Sequence, residues 1–298
     1  MKLSSCIMVL SHKCNYNCNH CYDKQKNDLF DTEHIYNKAK NLLKKLKNMG
    51  LKEVLFSGGE CTLFPKIHEL IDYSNKLNIL PSIFTNGSSQ DADLFNKLKS
   101  VCTSVDGDCA IHNIIRRNPT AYENVVSFLK NPVIKQKPIV VQTTISKTNI
   151  SDLSFITSIA KMLSFPKDTL KIYAMSKTTD SIKNSLLLTQ DEYIKVSEYI
   201  QNLCKSYDYH INISTDIIDT DVMQTINLDT LSFPTFIDLG QDKFYVFMDT
   251  PALSKSLDDL SAEAIEYLRQ MLILKIRSRL SEFPQKHGTV ADFLVDKD

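Results

Sequence analysis

Short apolar runs alternate with longer amphipathic ones over the first two thirds of the chain, and that rhythm predicts the elements. "CIMVL" (residues 6–10) reads as a first strand. "TEHIYNKAKNLLKKLKNMG" (residues 32–50) puts Ile35, Ala39, Leu42, Leu43 and Leu46 at helical spacing and stops at a glycine. "EVLFSGGE" (residues 53–60) is an apolar strand ending in a glycine turn, with a helix over about residues 65–77. "PSIFTNG" (81–87) and "SVCTSVDG" (100–107) repeat strand then turn, followed by helices near 91–99 and 122–129. "PIVVQTTI" (138–145), a helix over 151–162 and "TLKIYAM" (169–175) complete six strands alternating with helices. That order implies parallel strands joined by helical crossovers, hence a partial (β/α)6 barrel of TIM type.

The pattern changes after residue 185. "TQDEYIKVSEYIQNLCK" opens with a Thr-x-x-Glu capping box, Thr189 and Glu192, and continues as an amphipathic helix. "YHINIS" (209–214) reads as a strand, "FIDLGQDKFYVFM" (236–248) as a hairpin, and residues 261–280 as a last helix. Residues 1–185 are therefore expected to form the barrel and 186–298 a small α+β appendage. Its aromatic residues Phe236, Phe244, Tyr245 and Phe247 are expected to form its core.

Composition adds mostly exclusions. With 35 basic and 35 acidic residues in 298, no global field draws in nucleic acid or an anionic membrane. The apolar run near the N-terminus is too short for a secretion signal, and no run approaches a membrane span of roughly 18 apolar residues. A cytoplasmic setting is expected, where cysteines stay reduced and a cluster of them points to metal binding or catalysis.

Such a cluster exists. "SHKCNYNCNHCY" places Cys14, Cys18 and Cys21 on the loop after the first strand. Three cysteines suit neither a disulfide framework, which wants pairs, nor a structural zinc site, which wants four ligands unless Cys6, His12 or His20 supplies the fourth. Four-iron clusters are held by thiolates, and three of them would leave one iron with an open coordination position.

The Cys-x-x-x-Cys-x-x-Cys spacing resembles the signature of the radical S-adenosylmethionine (SAM) superfamily, and further motifs in the same order strengthen the resemblance. "SGGE" supplies Gly58, Gly59 and Glu60 after the second strand, "FTNG" carries Thr85 and Asn86 after the third, and "SVDG" carries Ser104 and Asp106 after the fourth. "TTISKTNI" matches the end of the fifth strand, and "HNIIRRNPTAYENVVSFLK" resembles the segment after the fourth in maturases that modify peptides. The resemblance implies a [4Fe-4S] cluster on Cys14, Cys18 and Cys21, and S-adenosyl-L-methionine held by Gly58, Gly59 and Glu60 at its methionine end. It implies a place near the adenine for His20, cofactor contacts from Thr85 and Asn86, and contacts near the ribose from Ser104 and Asp106. His20 stands where the family usually has another aromatic. These segments follow strand ends, where parallel α/β barrels build their sites.

The resemblance further implies reductive cleavage of the cofactor to a 5'-deoxyadenosyl radical, fed by a flavodoxin- or ferredoxin-type electron donor, and hydrogen abstraction from a substrate. The first choice of substrate is a ribosomally made peptide undergoing epimerisation or crosslinking, with a small-molecule metabolite as the alternative. Activation of a glycyl-radical enzyme and a non-enzymatic metal-binding regulatory module come after these. Cys61, Cys102 and Cys109 are candidate hydrogen-atom donors, against a default of plain packing, and Cys6 and Cys204 are expected to be packing residues. The appendage resembles the twitch or SPASM extension of peptide-modifying members in layout. No cysteine follows Cys204, so it is expected to hold no auxiliary cluster.

Overall fold

Six short strands carry the barrel: β1 (Ser5–Val9), β2 (Glu53–Ser57), β3 (Leu80–Phe84), β4 (Ser100–Ser104), β5 (Ile139–Ile145) and β6 (Thr169–Ala174). The computed structural model describes residues 3–21, 31–164, 167–175, 184–207, 213–215, 217–219, 235–239, 241, 243–246, 254–282 and 287–289. All six expected strands are present within a residue or two, paired parallel in chain order. β2, β5 and β6 alternate in burial, as the two-residue period of a half-buried strand requires. In β5, Ile139, Val141, Thr143 and Ile145 are buried, while Val140, Gln142 and Thr144 are half-buried.

The fully buried set faces the helices α1 (Thr32–Asn48), α2 (Ile67–Lys76), α3 (Ala92–Asn96), α4 (Cys109–Arg116), α5 (Ala121–Lys130), α6 (Pro132–Lys135) and α7 (Ser154–Met162). Met8, Val54, Phe56, Ile83, Val101, Val141, Leu170 and Ile172 join Leu43, Leu46, Leu70, Ile71, Phe95, Phe128 and Ile156 in one apolar core. The opposite, inner face mixes apolar side chains such as Ile7, Leu55 and Phe84 with polar ones. Strand register sets Cys102 beside Val140 and Thr169, and Ser104 abreast of Gln142 and Lys171.

The helix α4 has no counterpart in the sequence reading, which starts the helix after the fourth strand near residue 122. Asp108 caps it by accepting the Ile111 N–H at 2.9 Å. Its buried face carries His112 and Arg116 beside Ile115, so polar residues hide its helical period.

The region after residue 185 does not stand apart from the barrel sheet. Following α8 (Gln190–Ser206), which has the expected capping box at Thr189 and Glu192, β7 (Ile213–Thr215) pairs parallel with β6. Strand β8 (Ile217–Asp219) pairs with β12 (His287–Thr289) in a separate two-stranded ribbon. The expected hairpin is β9 (Thr235–Asp238) and β10 (Lys243–Val246), extended by β11 (Ser254–Ser256). Strand β9 pairs parallel with β1, so the sheet order runs β11-β10-β9-β1-β2-β3-β4-β5-β6-β7 without closing. The sheet thus continues through the expected boundary at residues 185/186. Phe244 is fully buried, as expected of the appendage core, under Ile265, Leu268, Leu272 and Ile273 of α9 (Ala262–Glu282). Phe247 and the side chains of Phe236 and Tyr245 lie outside the described residues.

Candidate active site

The loop after β1, which carries Cys14, Cys18 and Cys21, is fastened to the ends of β2 and β3 and to α4 and α5. At β2 the backbone itself does the fastening. Leu10 N–H donates to the Ser57 carbonyl at 3.0 Å, Gly59 N–H to Ser11 at 2.8 Å and Glu60 N–H to Lys13 at 2.9 Å. Glycine is required for that approach. A Cβ at Gly58 would sit 2.3 Å from the Ser11 oxygen, and one at Gly59 would sit 2.4 Å from the Lys13 oxygen. Gly58 also holds φ +151°, which a side chain rarely adopts.

Glu60 ties this turn to the end of β3. Its Oε1 accepts from Thr62 N–H (3.1 Å), Thr62 Oγ1 (2.6 Å) and Thr85 Oγ1 (2.9 Å), and its Oε2 accepts from Asn86 N–H at 2.7 Å. Three donors crowd Oε1 and one meets Oε2. The side chain clamps this turn to the end of β3 and is only 2% exposed. Asn86 continues the chain of contacts: its amide donates to Asn15 Oδ1 at 2.8 Å, and Asn15 donates to Ser88 Oγ at 3.0 Å.

The other fastenings come from α4 and α5. Asn19 donates through its backbone to Ile115 (2.8 Å) and through its amide to Ile114 (3.1 Å), while Asn124 donates to the Tyr16 hydroxyl at 2.9 Å. Arg116 extends Nη1 to within 3.9 Å of the Cys18 sulfur and Nη2 to 2.5 Å from Asp106 Oδ2. Asn15, Tyr16, Asn19, Arg116 and Asn124 are functional residues that the sequence reading missed. Asn15, Tyr16 and Asn19 alternate with the cysteines, which is the one local signal they offer.

Asp106 lies wholly inside the protein. Its Oδ1 accepts the Thr144 N–H at 3.0 Å, its backbone N–H donates to His112 Nδ1 at 3.0 Å, and its carbonyl accepts from Asn149 at 2.8 Å. Burial alone would raise its pKa, but the Arg116 guanidinium, His20, His112 and the Thr144 N–H outweigh it and hold the carboxyl below its usual range. Burial lowers His112 to about 4, so its Nδ1 stays an acceptor. His20 sits on the same hub, Nε2 3.9 Å from Asp106 Oδ2. Ser104 ends β4 on the inner face, 7% exposed.

The remaining cysteines separate. Cys61 is buried in the helix-side core, donates to the Phe84 carbonyl at 3.1 Å and is held protonated well above its ordinary pKa by burial and Glu60. Cys102 lies on the inner face, and burial pushes it up to about 12 against the pull of Lys171. Cys109 is exposed at the first turn of α4. Cys6 is buried on the helix side, raised to about 12 by burial, and Cys204 packs half-buried against the core.

The donor set fits a four-iron cluster. All three loop cysteines are in no disulfide and are half-buried. Tyr16 N–H reaches the Cys14 sulfur at 3.4 Å and Arg116 the Cys18 sulfur, the donor pattern that favours thiolates. A mononuclear structural zinc site would need a fourth ligand beside the three cysteines. Of the fourth ligands considered, Cys6 is in the core, His12 faces Asp238 at 3.4 Å and His20 faces Asp106.

Residues 8–131, which contain the cysteine loop, the glycine turn and Arg116, match the family model of the Radical SAM superfamily. The Fe-coproporphyrin III synthase of Methanosarcina barkeri is 28% identical over 163 residues, 53% of this chain and 41% of that protein. The sporulation killing factor maturation protein SkfB of Bacillus subtilis is 24% identical over 159 residues, 50% of this chain and 38% of that protein. The chain thus spans less than half the length of these curated relatives. Among solved structures, SuiB of Streptococcus suis bound to S-adenosylmethionine superposes with a TM-score of 0.71 at 13% identity, covering 92% of this chain and 68% of that one, a likeness of fold. Superfamily members use a [4Fe-4S] cluster and S-adenosylmethionine. By residues 8–131, and by the open parallel barrel with three cysteines on the loop after its first strand, this chain is similar to the radical SAM superfamily of enzymes.

Proposed function

We propose that the chain is a radical SAM enzyme acting on a ribosomally made peptide at a carbon centre, by epimerisation or crosslinking. The observation that carries the chemistry is the three-cysteine loop fastened to the ends of β2 and β3 and to α4 and α5. When bound, the cluster and S-adenosylmethionine supply an electron and, by reductive cleavage, a 5'-deoxyadenosyl radical that removes a substrate hydrogen atom. Cys14, Cys18 and Cys21 hold the cluster. Gly58 and Gly59 leave room for close backbone approach at the methionine end, and Glu60, Thr85 and Asn86 hold that turn in shape. Ser104 lines the path inward, and Asp106 fixes His20 and Arg116.

The peptide reading is supported by the match to SkfB, a maturation protein, and by the fold shared with SuiB, which has also been solved with its precursor peptide SuiA. The match to a porphyrin synthase keeps a small-molecule substrate as the second reading. For epimerisation, Cys102 is the donor best placed, because it alone of the three candidates lies on the inner face. Its S–H would give a hydrogen atom to the substrate carbon radical, and the thiyl radical left behind would take up one electron from a flavodoxin- or ferredoxin-type donor and one proton. Cysteines outside any disulfide fit the reducing cytoplasm, and no described helix is long and apolar enough to cross a membrane. The test is anaerobic turnover with S-adenosylmethionine, a reductant and any short peptide encoded beside the gene. A mass or stereochemical change in that peptide, coupled to 5'-deoxyadenosine, supports the reading. Turnover of a metabolite with the peptide untouched would favour the second.

A further inference from the structure

Arg116 is an unusual cation for its surroundings. It is 9% exposed, sits at the last position of α4, and spans two partners 98 and 10 residues away in sequence, the Cys18 sulfur and the Asp106 carboxylate. We infer that Arg116 is a positioning residue for the cluster: its guanidinium holds the Cys18 sulfur as a charged donor and sets the cluster's reduction potential. This rests on the cysteine loop holding a [4Fe-4S] cluster, as proposed above.

The geometry is over-determined. Asp106, anchored to β5 by the Thr144 N–H, fixes one side of the guanidinium through Nη2. Asn19, one residue after Cys18, is bound to the carbonyls of Ile114 and Ile115 immediately before Arg116, so the cysteine and the arginine are drawn to one place. The planar fork of an arginine serves two acceptors at once, which a lysine's single ammonium does less well. The Nε atom is buried without a hydrogen-bond partner among the described residues. Hydrogen bonds to cluster sulfurs and nearby charge are what the protein has to tune an iron-sulfur potential. Reduction adds negative charge to the cluster, so a buried cation at one ligand favours the reduced form and makes the potential less negative. Asp106 offsets part of that charge.

The test uses the full chain with its cluster reconstituted and no S-adenosylmethionine. Wild-type protein grown with guanidino-15N arginine should show a nitrogen coupling to the reduced cluster by pulsed electron paramagnetic resonance, and Arg116→Lys should lose it. In Arg116→Gln the midpoint potential should become more negative by about a tenfold change in the reduction equilibrium, ~59 mV for one electron, with Arg116→Lys between the two. A four-iron wild-type cluster with no arginine coupling overturns the inference and leaves the reading of the cysteines standing, whether or not the variants fold. Unchanged potentials in variants of full iron content overturn it too. A wild-type chain that assembles no cluster overturns both.

Discussion

Glu60 accepts the Asn86 N–H at 2.7 Å across the ends of β2 and β3, and the side chain of Asn86 in turn holds Asn15, the residue after the first loop cysteine. The carboxylate is therefore a joint between two strand ends, and through Asn86 it reaches the cysteine loop. Glu60→Gln exchanges one acceptor oxygen for a donor that must face a donor. It is expected to cost about 1–3 kcal/mol in denaturant unfolding, with Thr85→Val costing about 1 kcal/mol. A Glu60→Gln protein of wild-type stability would show that the clamp is dispensable.

Gly59→Ala is predicted to disturb the cysteine loop before it disturbs the fold. The added methyl would meet backbone oxygens of both Lys13 and His12, neither of which can rotate away. Iron content after reconstitution should fall well below wild type while far-ultraviolet circular dichroism is retained. Full loading in Gly59→Ala would contradict the close approach.

Acid should destabilise the protein earlier than its carboxylates alone would explain. Folded His112 titrates near 4, against an ordinary value of 6.5. Between these values the unfolded chain binds a proton that the folded one does not, so stability falls as pH drops through that window, by about 3 kcal/mol in all. Asp106, also lowered, loses its contribution in the same direction below the ordinary carboxylate range. In His112→Gln, whose amide oxygen can still accept the Asp106 N–H, the stability profile from pH 6.5 to 4 should flatten. An unaltered slope would mean that the imidazole is not the group responsible.

The three candidate thiols should behave differently when removed. Cys102→Ala is expected to lower product yield or change product stereochemistry while 5'-deoxyadenosine still forms, because the inner-face donor is gone and radical generation is not. Cys109→Ala, at an exposed position, should leave both unchanged, and Cys61→Ala should act on stability through its core packing. If all three leave stereochemistry and yield untouched, none of them donates the hydrogen atom.

Much of this was legible in the sequence because the signals are local. Each barrel strand is a short apolar run of its own, and the cysteine, glycine and strand-end motifs are contiguous words. The contacts that hold the site are not local. Asn19 meets Ile114, 95 residues away, and Asn124 meets Tyr16, 108 residues away, and neither asparagine differs by sequence alone from a solvated one. Helix α4 escaped notice because His112 and Arg116 lie on its buried face. The four donors around Glu60 were hidden for a related reason: Thr85 and Asn86 lie 25 and 26 residues away and reach it only across two strand ends. The pairing of β9 with β1 was equally hidden, since it joins residues more than two hundred apart through backbone groups that every sequence has.

The central claim is that Cys14, Cys18 and Cys21 hold a single [4Fe-4S] cluster that cleaves S-adenosylmethionine. Iron and zinc analysis of the anaerobically reconstituted chain, with 5'-deoxyadenosine measured in the same sample, tests it most directly. The account predicts about four irons per chain and reductant-dependent 5'-deoxyadenosine, both lost when the three cysteines are changed to alanine. One zinc with no cleavage, or an iron content unaffected by the triple change, would contradict it.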